Sequence, residues 1–168
     1  MISNKEQILA LLHSNRCAYH LYEHPPVFTV IEASQHCAHI PGAHVKNLFL
    51  RNKKKTAYWL ITVPEDKQVD LLLLGDRLGF GRLSFSSSAD LTAMLGIQPG
   101  SVTPLAIIND QAKRIKLIFD RDLLNEQDIS IHPMENKATI SLKLQDLLQF
   151  LEGYRHEKVE FMEIPGKE

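Results

Sequence analysis

Three short clusters hold the residues of this chain that can do chemistry. Lys46-Asn47 opens the apolar run Leu48-Phe49-Leu50, Gly96 to Pro104 reads GIQPGSVTP, and His132-Pro133 stands near Asn136 and Thr139. An ammonium beside a buried strand must keep its head in water or meet an anion, because an unpaired buried charge is strongly disfavoured. Lys46 is therefore either an anchor for a phosphate or carboxylate, or a side chain snorkelling at a strand end. A loop stiffened by glycine and proline can aim backbone N–H groups outward at an oxyanion. The same composition also serves a plain connection between elements. His132 offers a hydrogen-bonding ring at a strand end, structural as readily as functional.

Other chemistries find less support. His36, His39 and His44 lie close together, but no glutamate completes an HExxH arrangement and the ligand set is incomplete, so no metal site is expected. Cys37 sits among these histidines without a nucleophile signature, and neither it nor Cys17 belongs to a CxxC pair; both read as ordinary thiols of a reduced, cytoplasmic protein. No arginine-rich or apolar leader precedes the first helix, and the longest apolar stretch, Val69 to Leu74, is too short to cross a bilayer, so no membrane partner is expected. The formal charge is −1, so any nucleic-acid contact must come from a local patch, which excludes a general coat for DNA or RNA. Arg51 to Lys55 is one such patch, either a contact for an RNA stem or a solvated hairpin tip.

The elements that must position these clusters follow from periodicity. A chain of 168 residues with 44% apolar content supports one domain over 1–168 with its own core, without linker, repeat or low-complexity tract. Ser3 and Glu6 have capping-box spacing ahead of a helix with Ile8, Leu11 and Leu12 on one face. Ala18 to Glu23 reads as a strand stopped by His24-Pro25-Pro26, and Val30 to Cys37 as a short helix. Asn47–Arg51 and Ala57–Val63 form a hairpin with Lys46 at its base. Helices are expected at Asp66–Leu74 and Ser88–Leu95 around a glycine- and serine-rich stretch. Thr103–Ile108 with Arg114–Phe119, and Ile129–His132 with Ala138–Leu142, read as successive antiparallel hairpins. A helix over Lys143–Tyr154 and a short strand at Val159–Met162 end the chain. The class is α+β with a mainly antiparallel sheet.

Four separated motifs, in order, then carry a resemblance. Tyr22-Glu23-His24-Pro25-Pro26-Val27-Phe28-Thr29, Lys46-Asn47-Leu48-Phe49-Leu50, the GxxxP loop Gly100-Ser101-Val102-Thr103-Pro104, and His132-Pro133 with Asn136 and Thr139 together resemble the YbaK-like aminoacyl-tRNA deacylases, relatives of the editing domain inserted in bacterial prolyl-tRNA synthetase. The resemblance runs over nearly the whole chain and implies one barrel-like mixed sheet flanked by helices. Asn47 after the lysine, with HPPVFT near the start, is most similar to the branch that clears alanine from proline tRNA; the cysteine-clearing branch carries threonine there.

The implied activity is metal-independent hydrolysis of the ester of a mischarged tRNA, with the substrate's own 2′-hydroxyl helping to orient water and no cofactor. The implied roles are Lys46 on the terminal phosphate or backbone, Gly100 and its neighbours presenting N–H groups to the ester carbonyl, and His132 shaping the pocket or bonding the substrate. Asn47, Phe28, Thr29, Val45, Ser101, Val102 and Asn136 are the implied substrate contacts. Val27, Phe28, Val45 and Leu48 are equally pocket walls or ordinary core. The implied partner is the acceptor end of mischarged proline tRNA, with prolyl-tRNA synthetase or elongation factor as protein partners and no DNA. Alternatives from the same residues are clearance of cysteine, serine or threonine, or a non-catalytic module that docks on tRNA or a synthetase.

Overall fold

Alternation of side chains dictates the centre of the molecule. The computed structural model describes residues 1–168, and in it β2 (Ala43–Asn52) and β3 (Tyr58–Pro64) form the expected hairpin, with Lys46 opposite Val63 and Asn47 opposite Thr62. Along β3, Tyr58 and Leu60 enter a core of 26 buried residues, while Trp59, Ile61 and Val63 enter a second core of 8 on the other face. A strand covered on both faces belongs mid-sheet.

The other strands are β1 (His20–Glu23), β4 (Leu83–Phe85), β5 (Ile115–Asp120), β6 (Asp128–Ile131), β7 (Ala138–Lys143) and β8 (Glu160–Met162). They make one eight-stranded sheet in the order β1-β7-β6-β2-β3-β5-β8, with β4 also on β2. The β2–β6, β3–β5 and β5–β8 pairings are parallel and the remaining four antiparallel, so the sheet is mixed and mainly antiparallel. It is not closed: β1 and β8 end the path and do not pair with each other, which corrects the barrel-like expectation. One edge of β2 is only partly paired. It meets β6 at Ala43 and His44 and β4 at Leu50 to Asn52, so residues 45–49 have a strand partner on the β3 side only. The sheet splays there and leaves room beside Lys46.

Helices cover the faces. α1 (Lys5–Ser14) buries Ile8 and Leu12, but its N-cap is Asn4, whose side chain accepts from the Gln7 N–H, rather than the expected Ser3. α2 (Val30–Cys37) stands where expected, capped by Thr29. α3 spans Leu71–Leu78, later than expected, because Asp70 supplies the N-cap and Gly79, at φ 79°, the C-cap. α4 (Ser88–Asp90) runs into a wider π-type turn, Leu91–Leu95, closed by Gly96. α5 (Leu144–Arg155) buries Leu147 and Leu151. No helix is long and apolar enough to cross a membrane.

Two strand expectations fail. Thr103–Ile108 is a 3₁₀ segment, Pro104–Asn109, capped by Thr103; Leu105 to Ile108 are buried on all sides, and a short run that is wholly buried has no period to separate strand from helix. β5 consequently forms no hairpin with it and pairs parallel to β3 instead. β4 lies inside the serine- and glycine-rich stretch, unforeseen because three residues carry too little alternation.

Candidate functional site

The opening beside β2 is a cavity of about 220 Å³ lined by residues from every expected cluster: Phe28 and Thr29, Val45, Lys46 and Asn47, Gly100 and Val102, and His132. Its roof is the N-terminal turn of α2, its floor the start of β2, its back the Gly100 loop and the end of β6.

Lys46 reaches this space because β2 has lost its outer neighbour at that point. Its side chain is half-buried and forms no ion pair within the chain. It also borders a second, larger groove of about 600 Å³, where Arg82, Lys167 and the exposed ring of Phe85 stand with Leu72. Leu48, on the same face of β2, lines that groove rather than the cavity, and the Arg51–Lys55 run lines neither. Arg51 lies five residues, roughly 17 Å of extended strand, from Lys46.

Asn47 faces the other way and ties strand to loop: its Nδ2 donates to the Val102 carbonyl at 3.3 Å, and its Oδ1 accepts from the Thr62 hydroxyl at 2.6 Å. The loop it holds is sharply bent. Gly100 has φ +88°, and a Cβ there would stand 2.9 Å from the Phe28 ring and 3.2 Å from Asn136 Nδ2, so both conformation and space require glycine. The Gly100 and Val102 N–H groups make no hydrogen bond inside the chain, whereas that of Ser101 donates to Gln98 at 3.1 Å. Two amides are thus available to an incoming oxygen. Ser101 itself is buried and does not line the cavity. Asn136 stands behind it, exchanging hydrogen bonds with the backbone of Val27 in both directions.

His132 donates from Nδ1 to the Ala138 carbonyl at 3.1 Å, because a carbonyl can only accept; Nε2 then carries a lone pair and no intramolecular partner. Burial holds its pKa below the usual 6.5, with the nearby His24 ring adding to the effect and the Ala138 hydrogen bond opposing it. His24 stands 6.5 Å from it between centroids, locked by Pro25 O and the Thr139 hydroxyl, both at 2.8 Å. A neutral ring with a free lone pair can accept a hydrogen bond from water, a hydroxyl or an amine.

The thiols are unsuited to attack. Burial pushes Cys17 up to about 11 and also raises Cys37, the last residue of α2, which packs with Val27 and Ile40. Of the clustered histidines, His44 bonds the Ile40 carbonyl and His39 packs edge-on against Tyr22.

Sequence reasoning missed Val30, Ala33 and Glu65, which also line the cavity. The signal for Glu65 was available in the hairpin register, since the residue after Pro64 must fall beside His44 at the mouth of the site.

A family model described as aminoacyl-tRNA editing domain matches residues 24–150. A bovine protein named prolyl-tRNA synthetase associated domain-containing protein 1 is 40% identical over 141 residues, covering 82% of each chain. The prolyl-tRNA editing protein ProX of Acetoanaerobium sticklandii is 34% identical over 143 residues, covering 85% of this chain and 87% of its own. A solved structure described as a candidate trans-editing enzyme for prolyl tRNA synthetase superposes with TM-score 0.72 at 19% identity, covering 99% of this chain and all of the other, a likeness of fold. With four motifs gathered on one cavity and this extent of match, the chain belongs to the aminoacyl-tRNA editing domain family, among relatives named for prolyl-tRNA editing.

Proposed function

We propose that this protein is an aminoacyl-tRNA deacylase acting in trans in the cytoplasm, hydrolysing alanyl-tRNA for proline. The observation that carries the reading is the convergence of Lys46, the unused Gly100 and Val102 amides and the neutral His132 on one small cavity. At about 220 Å³ it falls below the roughly 300–1,000 Å³ of clefts that enclose drug-sized ligands, which suits a small aminoacyl group.

The chemistry needs no protein nucleophile. Water adds to the ester carbonyl, the carbonyl oxygen takes the developing negative charge, and the bond to the terminal ribose oxygen breaks, leaving the free amino acid and a ribose hydroxyl that has taken up the proton. Gly100 and Val102 N–H groups hold the oxyanion, an arrangement whose donors are each worth about 10²–10³ in rate elsewhere. Lys46 binds the phosphate of the terminal nucleotide, and Asn47, with one amide hydrogen and one lone pair still free, positions the ribose. His132 Nε2 accepts from the ribose 2′-hydroxyl, keeping it aligned with the attacking water. These groups supply the electrostatic stabilisation without a metal ion. The RNA continues into the larger groove, where Arg82 and Lys167 meet phosphates and Phe85 offers a stacking face. Prolyl-tRNA synthetase and elongation factor compete for the same acceptor end.

Selection by size explains why such an enzyme is needed. One methylene in an apolar pocket is worth about 1–3 kcal/mol, too little for a proline site to reject alanine outright, so a narrower second site is required.

The test is release of amino acid from tRNAs charged with alanine, cysteine, serine, threonine and proline, with and without chelator. Alanine should leave fastest and chelator should have no effect. Lys46→Ala should cut kcat/KM at least about 100-fold. Tight tRNA binding without turnover across the panel would make the protein a docking module instead.

A further inference from the structure

The cavity contains one carboxylate, which the hydrolytic step leaves unused. Glu65 follows the last residue of β3, and its N–H donates to the His44 carbonyl at 3.0 Å, extending the hairpin ladder and fixing its position at the mouth of the site. Its side chain is half-buried and takes part in none of the chain's ten ion pairs or in any side-chain hydrogen bond. Lys46, lining the same cavity, is equally unpaired. Two opposite charges thus line one small space without forming an ion pair, alongside six apolar side chains, Val27, Phe28, Val30, Ala33, Val45 and Val102, and the polar Thr29, Asn47 and His132. Partly buried charges left apart lose hydration without compensation, so the arrangement is complementary to a ligand that brings an anion to one side and a cation to the other.

An aminoacyl-nucleotide has that charge distribution, with phosphate at one end and an α-ammonium one carbon from the ester carbonyl. Resting on the deacylase reading, we propose that Glu65 receives the free α-ammonium of the bound aminoacyl group and so restricts the enzyme to esters with an unblocked amine. An N-acylated ester, including the end of a peptidyl-tRNA, carries no charge there and leaves the carboxylate unpaired beside an added carbonyl. A site built around a polar group of its substrate rejects the analogue lacking it far more strongly than an apolar pocket rejects a methylene. Editing therefore spares growing chains.

The experiment compares alanyl-tRNA with N-acetylalanyl-tRNA in turnover, and amide-linked alanyl-adenosine with its N-acetyl form, neither of which can be hydrolysed as an ester, in binding. Wild type should favour the free amine on the order of 100-fold in both assays, and Glu65→Gln should bring the ratio near unity by weakening the free-amine partner. Glu65→Asp should recover part of the preference, and the amine of the bound analogue should show a higher apparent pKa with wild type than with Glu65→Gln. Glu65 makes no side-chain bond within the chain, so thermal unfolding of the variants should match wild type, and a variant that melts early is replaced by Glu65→Asp for the comparison. A ratio unchanged by Glu65→Gln while wild type turns over would overturn the Glu65 assignment and leave the deacylase reading standing. Glu65-dependent binding of the free-amine analogue without turnover would overturn the deacylase reading and leave the ammonium site. Equal handling of both amines by wild type removes the proposal.

Discussion

Gly100→Ala probes the loop on which the proposed chemistry turns. At φ +88° an alanine is in the left-handed region, which costs an L-residue about 1–2 kcal/mol. Its Cβ would also meet Phe28 Cδ1 at 2.9 Å, about 0.5 Å inside ordinary contact, and Asn136 Nδ2 at 3.2 Å. Asn136 is held by Val27, so relief falls either to the Phe28 ring, which is 67% exposed, or to the loop itself. For a chain of this size each kcal/mol moves Tm by about 2–4 °C, giving a fall of about 2–8 °C. The matched control is Gly79→Ala, at φ +79° with open space around the new Cβ, which imposes the backbone cost alone. Single-turnover deacylation of alanyl-tRNA for proline should then drop about 10–100-fold for Gly100→Ala, since small misplacements of a positioned group cost rate on that scale. Gly79→Ala should lose a similar Tm and keep its rate. If the loss is in KM, the Phe28 ring has swung; if in kcat, the amides have moved. Gly100→Ala with unaltered kcat and KM would refute the oxyanion role of this loop.

Two further outcomes follow from buried charge. Lys67→Met strands the Asp120 carboxylate, which is fully buried and held by the Lys67 ammonium at 2.6 Å, with Asp122 and the Ile164 carbonyl completing the clamp at 2.8 and 3.0 Å; breaking such a pair costs about 3–5 kcal/mol, so Tm should fall by roughly 10 °C, and a fall under 2 °C would show the clamp to be ornamental. His132 should titrate below 6.5, because burial chiefly opposes its charged form. The unfolded chain takes up that proton first, so stability falls as pH drops below 6.5 toward the folded value, and His132→Gln should flatten that slope; equal slopes, or an NMR titration of His132 above 6.5, would count against a neutral ring.

The parts of the fold that could be read in the sequence are those where one residue type decides. The Val30–Cys37 helix and the helical run that ends before Gly96 stand where expected, and the β2–β3 hairpin follows from its alternation. What could not be read is pairing. Arg114 to Phe119 looks like the second arm of a hairpin, yet the strand formed there pairs in parallel with β3, far back in the chain, and with β8, and its apparent first arm is a buried 3₁₀ turn. Local pattern carries burial but not partners. The same limit explains the missed start of α3: the helix is capped by Asp70, and the residues before it pair instead with the far end of the chain, Asp70 N–H donating to the Pro165 carbonyl and Lys167 N–H to the Gln68 carbonyl.

The residue types at Lys46, Gly100 and His132 stand out in the sequence, whereas Glu65 is reached only by carrying the hairpin register one residue past Pro64, and that register places both Lys46 and Glu65 beside the cavity. A strand shows successive side chains to opposite faces, so a one-residue slip of β2 against β3 would exchange Lys46 with Asn47. The loop tie from Asn47 to Val102 would be lost, and the lysine would enter the main core beside Thr62. Three features hold the register against this: the Asn47–Thr62 bond, the Asn52 side chain bonded to Thr56 and Ala57 at the turn, and Leu48 and Leu50 seated in the smaller core. That same register carries the ladder one residue beyond Pro64 and sets Glu65 beside His44. The placement of Lys46 and Glu65 on one cavity is therefore a property of the hairpin. A substitution at Asn52, far from the cavity and touching no substrate, should loosen the turn and blunt the preference for a free amine together with the rate, whereas a substitution at the exposed Lys54 should alter neither.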